Sequence, residues 1–255
     1  MPEVIGAIRD RWLSIGGPGS FLGNPVTDEM DFSEGGRVSV FERGSIYWWP
    51  DVGAIDIGEI FVHFQGLNCF ATTSGSGSDE PYVTMAVAVP GSPPLSLRSQ
   101  IYNDVDGGDT RPDQVELYRG QPRGMTIVAQ LIEHDNGNPE NYKEIMQGVA
   151  SVAGAGVTAL LAVVPAVGPI LSAAAGPILG ALKPAIADEL GKLLGLGDDL
   201  IGPPTTIALS PKDMVLLAAR TQNSLERQVA FKIASPLIEG DGGNYKIYFG
   251  MSKAP

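Results

Sequence analysis

The sequence predicts an α+β protein in which a small N-terminal module over residues 1–60 precedes a β-rich domain over 61–255. The second part carries an apolar helical hairpin inserted at about residues 141–200. Three observations lead there. The 255 residues include 33 glycines and 20 prolines, which imply many turns and argue against a protein built mainly of long helices. Short runs rich in β-branched and aromatic residues recur along most of the chain. Residues 145–182, by contrast, contain no charged side chain and consist largely of Ala, Val, Leu and Gly.

Taken in order, residues 4–14 place Ile5, Ile8, Trp12 and Leu13 at helical spacing, and the Gly- and Pro-rich run after them ends the helix. Residues 38–42 and 45–49 read as two strands with Arg43 and Gly44 between them at hairpin spacing, and 52–60 as a further short β segment. Runs 60–68, 82–89, 115–118 and 125–132 also read as strands, with 72–78 a flexible loop and 90–124 otherwise polar and turn-rich. A helix begins at 141–147. The charge-free stretch follows, with Pro165, Pro169 and Pro177 suiting a bend between two helices, and 183–196 is its amphipathic tail. Strand character returns at 206–209, 214–219, 229–233 and 245–249.

A net charge of -12 repels phosphate backbones, so nucleic acid is not an expected partner. Cys69 is the single cysteine, which rules out an internal disulfide. The N-terminal sequence has neither the basic nor the apolar region of a signal peptide. His63 and His134 are the two histidines, and neither lies in a zinc-type motif. There is no GxSxG motif and no P-loop, so a non-catalytic role is the leading expectation.

Residues 4–60 carry Gly6-Ala7-Ile8 with Trp12, Gly16-Gly17-Pro18-Gly19, Leu22-Gly23-Asn24-Pro25-Val26-Thr27-Asp28-Glu29 and Gly36-Arg37. They continue with Phe41 to Trp48, Gly53-Ala54 and Gly58-Glu59-Ile60. In order and spacing this resembles one copy of the LGFP repeat, with Asn24 where the family often has phenylalanine. The resemblance implies a secreted or cell-envelope setting, with cell-wall polysaccharide or another glycan as partner. Tyr47, Trp48 and Trp49 are consecutive, and a strand sends successive side chains to opposite sides. Tyr47 and Trp49 are therefore candidate glycan-stacking residues. The alternative is that Trp48 is core and the other two pack against the following domain.

Ser78-Asp79-Glu80-Pro81-Tyr82-Val83 resembles the Ser-Asp-Pro-Tyr-Val signature of calcium-dependent lipid-binding β-sandwich domains, with Glu80 inserted. The resemblance implies a β-sandwich for the second part. Asp79, Asp104, Asp106 and Asp135 are then candidate ligands for Ca²⁺, a hard cation that takes several oxygen donors. The alternative is that they are solvated turn residues.

The apolar segment admits three readings: a hairpin buried on the β-domain, a hairpin that enters a membrane on demand, or a constitutive anchor. The leading expectation is a cell-wall- or glycan-associated binding or structural protein. The first rival is a membrane-active protein using residues 145–195, with a lipid membrane as partner. The second is a hydrolase directed to the wall by its first module.

Overall fold

The structure is a computed structural model that describes residues 2–75, 77–163, 184–193, 196–220, 222–223, 228–229 and 231–254. The chain opens with α1 (Gly6–Ser14), which turns only Ile8 fully inward. Gly16, in the left-handed region at φ 113°, follows the helix. The next strands are β1 (Met30–Phe32), β2 (Gly36–Phe41), β3 (Gly44–Trp49) and β4 (Gly53–Ile57), hydrogen-bonded in that order as an antiparallel meander. The turn between β2 and β3 is tight because Gly44 has no side chain. A Cβ there would lie 2.4 Å from the Ile57 carbonyl oxygen.

β5 (Ile60–Ala71) leaves the module and becomes the inner strand of a second sheet. β6 (Pro81–Ala88), β7 (Leu95–Arg98), β8 (Thr110–Gly120) and β9 (Met125–Glu133) follow it. α2 (Pro139–Val163) leads towards the apolar stretch, and α3 (184–190) returns from it, running into a 3-10 turn at Gly191–Leu193. The bend read at 165–169 lies outside the described residues. β10 (Asp199–Leu209), α4 (Pro211–Ala219), the short pair β11 (Gln222–Asn223) and β12 (Gln228–Val229), then β13 (Phe231–Ala234), β14 (Ile238–Gly240) and β15 (Gly243–Lys253) complete the chain.

The β-body consists of two antiparallel sheets, with strand orders β10-β9-β6-β7 and β13-β15-β5-β8. Val62, Phe64, Leu67 and Phe249 of one share a core with Val83, Met85, Val87, Ile127 and Leu131 of the other. The opposite faces of β6 and β9 are buried as well. Tyr82, Ala86, Ala88, Val128 and Ile132 form a second core with the helices. α2 supplies Tyr142, Met146, Val149, Ala150 and Ala153 to it, one face of a helix read at three- and four-residue steps. α3 and the turn after it add Ile186, Leu190 and Leu193. A sheet covered on both faces needs side chains that are apolar at nearly every position, which is how β6 and β9 read. The chain is thus α+β, and α2 and α3 lie on the outer face of the four-stranded sheet. No described helix is long and apolar enough to cross a membrane.

Three local devices hold the sheets. In β5, Gly66 sits at φ 117° opposite Pro112 of the edge strand β8, so close that a Cβ would meet the Arg111 carbonyl oxygen at 2.1 Å. Proline is tolerated in β8 because an edge strand has no partner on its far side. In β10, register shifts between Ile201 and Thr205, where Pro203 and Pro204 cannot donate hydrogen bonds. The buried Gln130 side chain supplies the missing donor, giving a 3.1 Å bond to the Gly202 carbonyl.

The structure corrects one sequence assignment outright. Residues 214–219, read as a strand, belong to α4. Ser210 and Asp213 form a reciprocal capping box, and Pro211 stands in the first turn. The β region 90–124 also holds more strand than expected, since β7 and a long β8 both lie in it.

The excursion from β9 to β10 is closed at its neck by one buried carboxylate. Asp198 accepts hydrogen bonds from Tyr82 Oη (2.9 Å), the Asp135 N–H (3.0 Å) and the Gly137 N–H (2.6 Å). His134 Nδ1 lies 3.2 Å away, and the Asp198 N–H donates to Tyr142 Oη at 2.9 Å. Burial alone would push this carboxyl up. The His134, Gly137, Tyr82 and Asp135 donors outweigh burial and hold it below its ordinary value. A carboxyl depressed in the folded state contributes stability that is present above its unfolded pKa of about 4 and is lost as pH falls through the folded value. Asp198→Asn should therefore lower the melting temperature at pH 7 and shrink the further loss between about pH 4 and pH 2, read by thermal melts across pH. An unchanged acid limb would show that another group governs it.

Candidate functional site

The module and the β-body meet along the inner face of β1–β4. Alternation on β3 sends Ile46 and Trp48 towards α1, where Ile8, Leu22 and Phe41 complete a small core. It sends Tyr47 and Trp49 the other way, into the main core. Their relative exposures are 3% and 0%. Trp49 Nε1–H donates to the Ser33 carbonyl at 3.0 Å, and Phe32 packs 4.8 Å from Tyr47 and 5.9 Å from Trp49. The Lys212 ammonium of α4 lies 5.7 Å from the Trp49 ring and pairs with Asp51 at 2.9 Å. The exposed aromatic platform expected at Tyr47 and Trp49 is thus not formed. Both rings are covered by the β-body, because a four-stranded meander needs a partner for its apolar face. The other reading of these residues is the one this arrangement matches.

Glu34 also pins the seam, and sequence reasoning missed it. It is buried in the left-handed conformation (φ 60°, ψ 38°) beside the start of α4. Burial raises its carboxyl above the ordinary value, against hydrogen bonds from Ser210 and the Lys212 N–H.

A cleft of about 950 Å³ opens along the remainder of the seam. Phe21, Met30, Phe32 and Tyr47 provide its apolar lining on the module side. The body contributes the β8–β9 turn, Gln121 to Arg123, and the C-terminal residues Lys253 and Ala254. Phe21 is 51% and Met30 42% exposed, so apolar surface is open to a ligand. The turn is fixed by Gln121, whose Oε1 accepts from Tyr47 Oη at 2.9 Å and whose Nε2 donates to the Gly58 carbonyl at 2.5 Å. Tyr118 Oη donates to the Gln121 carbonyl. Burial pushes the Tyr47 hydroxyl up to about 12, opposed by Ser45 and the Arg123 charge, so it stays a neutral donor.

The LGFP-like loop forms the outer lip. Leu22 is fully buried, and Gly23 is at φ 77° with its Cα so close to Glu42 that a Cβ would meet Oε2 at 2.2 Å. Trp12 Nε1–H caps the Gly23 carbonyl at 3.0 Å. Asn24 donates to Glu42 at 3.1 Å. This bond, with the Asn24 N–H and the Arg43 charge, holds the Glu42 carboxyl below its ordinary value. A general acid for glycosidic cleavage needs the opposite shift.

The four aspartates expected to gather around Ca²⁺ are not brought together. Asp79 is buried and committed to Thr73, accepting from its N–H at 2.9 Å and its Oγ1 at 2.9 Å, and to the Tyr245 hydroxyl. Asp104 and Asp106 lie exposed in the turn before β8, where Asp109 accepts from the Asp106 N–H. Asp135 is exposed and contributes its N–H to the Asp198 neck. Among the described residues, no group of three or more His, Cys, Asp or Glu could hold a metal ion. Cys69 lies in the main core, whereas His63 stacks on Phe61 at 4.7 Å, so the two do not form a nucleophilic pair.

The LGFP repeat family model matches residues 22–68. The chain therefore carries the N-terminal LGFP repeat that its residues resemble. The matched span starts at the Leu22 loop, includes β1–β4 and runs into β5, and it leaves α1 outside. No curated protein matches the chain.

Trp49→Ala should behave as a core deletion, lowering stability by about 3–5 kcal/mol in denaturant titration. A stable variant with altered ligand binding alone would return Trp49 to the role of a platform.

Proposed function

We propose that this protein is a non-catalytic, glycan-binding component of the cell envelope, and that the cleft along the module seam is its binding surface. The LGFP repeat supports an envelope-associated or binding role. The observation that carries the reading further is the composition of the cleft. It offers open aromatic and apolar surface at Phe21 and Met30 beside hydrogen-bonding groups held on a fixed turn. Sugar rings present apolar C–H faces and a rim of hydroxyls, and a surface that pairs an aromatic face with converging polar groups suits both.

The lone repeat supports the same reading. Its sheet closes on the β-body, so the cleft has one wall from the repeat and one from the turn after β8. A rigid two-walled cleft spends little ordering entropy on binding.

The test is retention by purified cell-wall polysaccharide, measured by affinity electrophoresis. Phe21→Ala should weaken retention roughly two- to tenfold, the value of a single aromatic contact, while the melting temperature holds because Phe21 is half-exposed. Equal retention of variant and parent, or no retention of the parent, would count against the cleft.

A further inference from the structure

Six charged side chains line the seam cleft: Asp31, Glu42, Arg43, Glu59, Arg123 and Lys253. Four are hydrogen-bonded or ion-paired, and Glu59 acts on neighbours through its charge alone. Asp31 pairs with Arg37. Glu42 accepts from Asn24 and lies 3.6 Å from Arg43, whose Nε and Nη2 donate to the Phe21 and Ser20 carbonyls. Lys253 pairs with Asp56 at 3.2 Å. The charge of Glu59 acts on Arg119, which also holds Glu116.

Arg123 differs. Its side chain is exposed and makes no hydrogen bond or ion pair among the described residues, yet its mounting is rigid. Pro122 before it is buried. Gly124 after it is at φ 80°, packed so closely that a Cβ would lie 3.2 Å from the Leu209 carbonyl oxygen. Gln121 is tied to the module through Tyr47 and Gly58 and to the body through Tyr118. A guanidinium on such a turn has a fixed backbone anchor and keeps its planar fork of donors free for a ligand.

We infer that the Arg123 end of the cleft is a subsite for the anionic group of an acidic glycan, a carboxylate or a phosphodiester carried on the chain. The inference rests on the reading of the cleft as a glycan site. A guanidinium meets either group with two parallel hydrogen bonds, which a hydroxyl cannot match. The net charge of -12 repels an acidic polymer at long range, so its capture depends on a local cation. At physiological salt, screening limits the reach of each charge to about 8 Å, so an anion at Arg123 meets the charges of the cleft rather than the net charge of the chain.

The experiment compares three forms of one purified wall polysaccharide: untreated, carboxyl-reduced, and freed of phosphodiesters by hydrofluoric acid. Removal of the anion that Arg123 reads should weaken binding by about tenfold in one arm, which names its source. Arg123→Gln should lose the same factor on untreated polymer and nothing further on the treated one, and Arg123→Lys should recover part of it. If the parent binds all three forms alike and Arg123→Gln binds as the parent does, the anion subsite is overturned while the glycan cleft stands. If the parent binds none of the three, both fall. A loss of melting temperature in Arg123→Gln matching its loss of binding would also overturn the subsite.

Discussion

A four-stranded meander of short strands has one apolar face too many. In this chain α1 covers the side bearing Ile46 and Trp48, and the side bearing Tyr47 and Trp49 has no cover within the module. Burial of those two rings against β5 and α4 is the contact on which the remaining architecture depends. It fixes the angle at which the chain enters β5 and places Lys212 over Trp49 and against Asp51. It also brings the turn after β8 to the Tyr47 hydroxyl. The cleft is what is left of the seam once this contact has been satisfied.

The same accounting explains the helices. The four-stranded sheet turns one face to its partner sheet and would expose Tyr82, Val128 and Ile132 on the other. α2 and α3 cover that face, and small residues bring α2 close to the strands: Ala150 and Ala153 are buried there, and a Cβ at Gly154 would already touch that of Ala88 at 3.7 Å. The apolar composition from residue 145 therefore has a use in the described part of the helices that involves no lipid.

Much of this was legible in sequence because it depends on periodicity. Runs rich in β-branched and aromatic residues marked β2, β3, β6 and β9, and the repeat resemblance located the module. Alternation also stated correctly that Tyr47 and Trp48 face opposite ways, without saying what covers each. α4 was misread because its run of Met, Val, Leu and Ala is equally apolar in a strand. The signal that decides it is Ser210 three residues before Asp213 with Pro211 between them. β8 was read too short because an edge strand with one solvated face needs few apolar residues. The cleft was not legible, since it joins Phe21, Tyr47, Arg123 and Lys253 from distant parts of the chain. The aspartates failed for the converse reason. Closeness of type and spacing along the chain does not make carboxylates converge, and Asp79 is fully occupied by Thr73 and Tyr245.

The neck at Asp198 has a meaning beyond the bonds it makes. Because the side chain of Asp198, the residue just before β10, accepts from the Asp135 and Gly137 N–H groups just before α2, the excursion starts and finishes at nearly the same point on the body. A segment whose two ends coincide is topologically a graft. Its length enters the folding free energy only through the logarithm of a loop, so lengthening or trimming it costs the body little. The β-body can in this way hold its register while the appended helical portion drifts in size and composition, much as a hinge-mounted panel can be exchanged without rehanging the door.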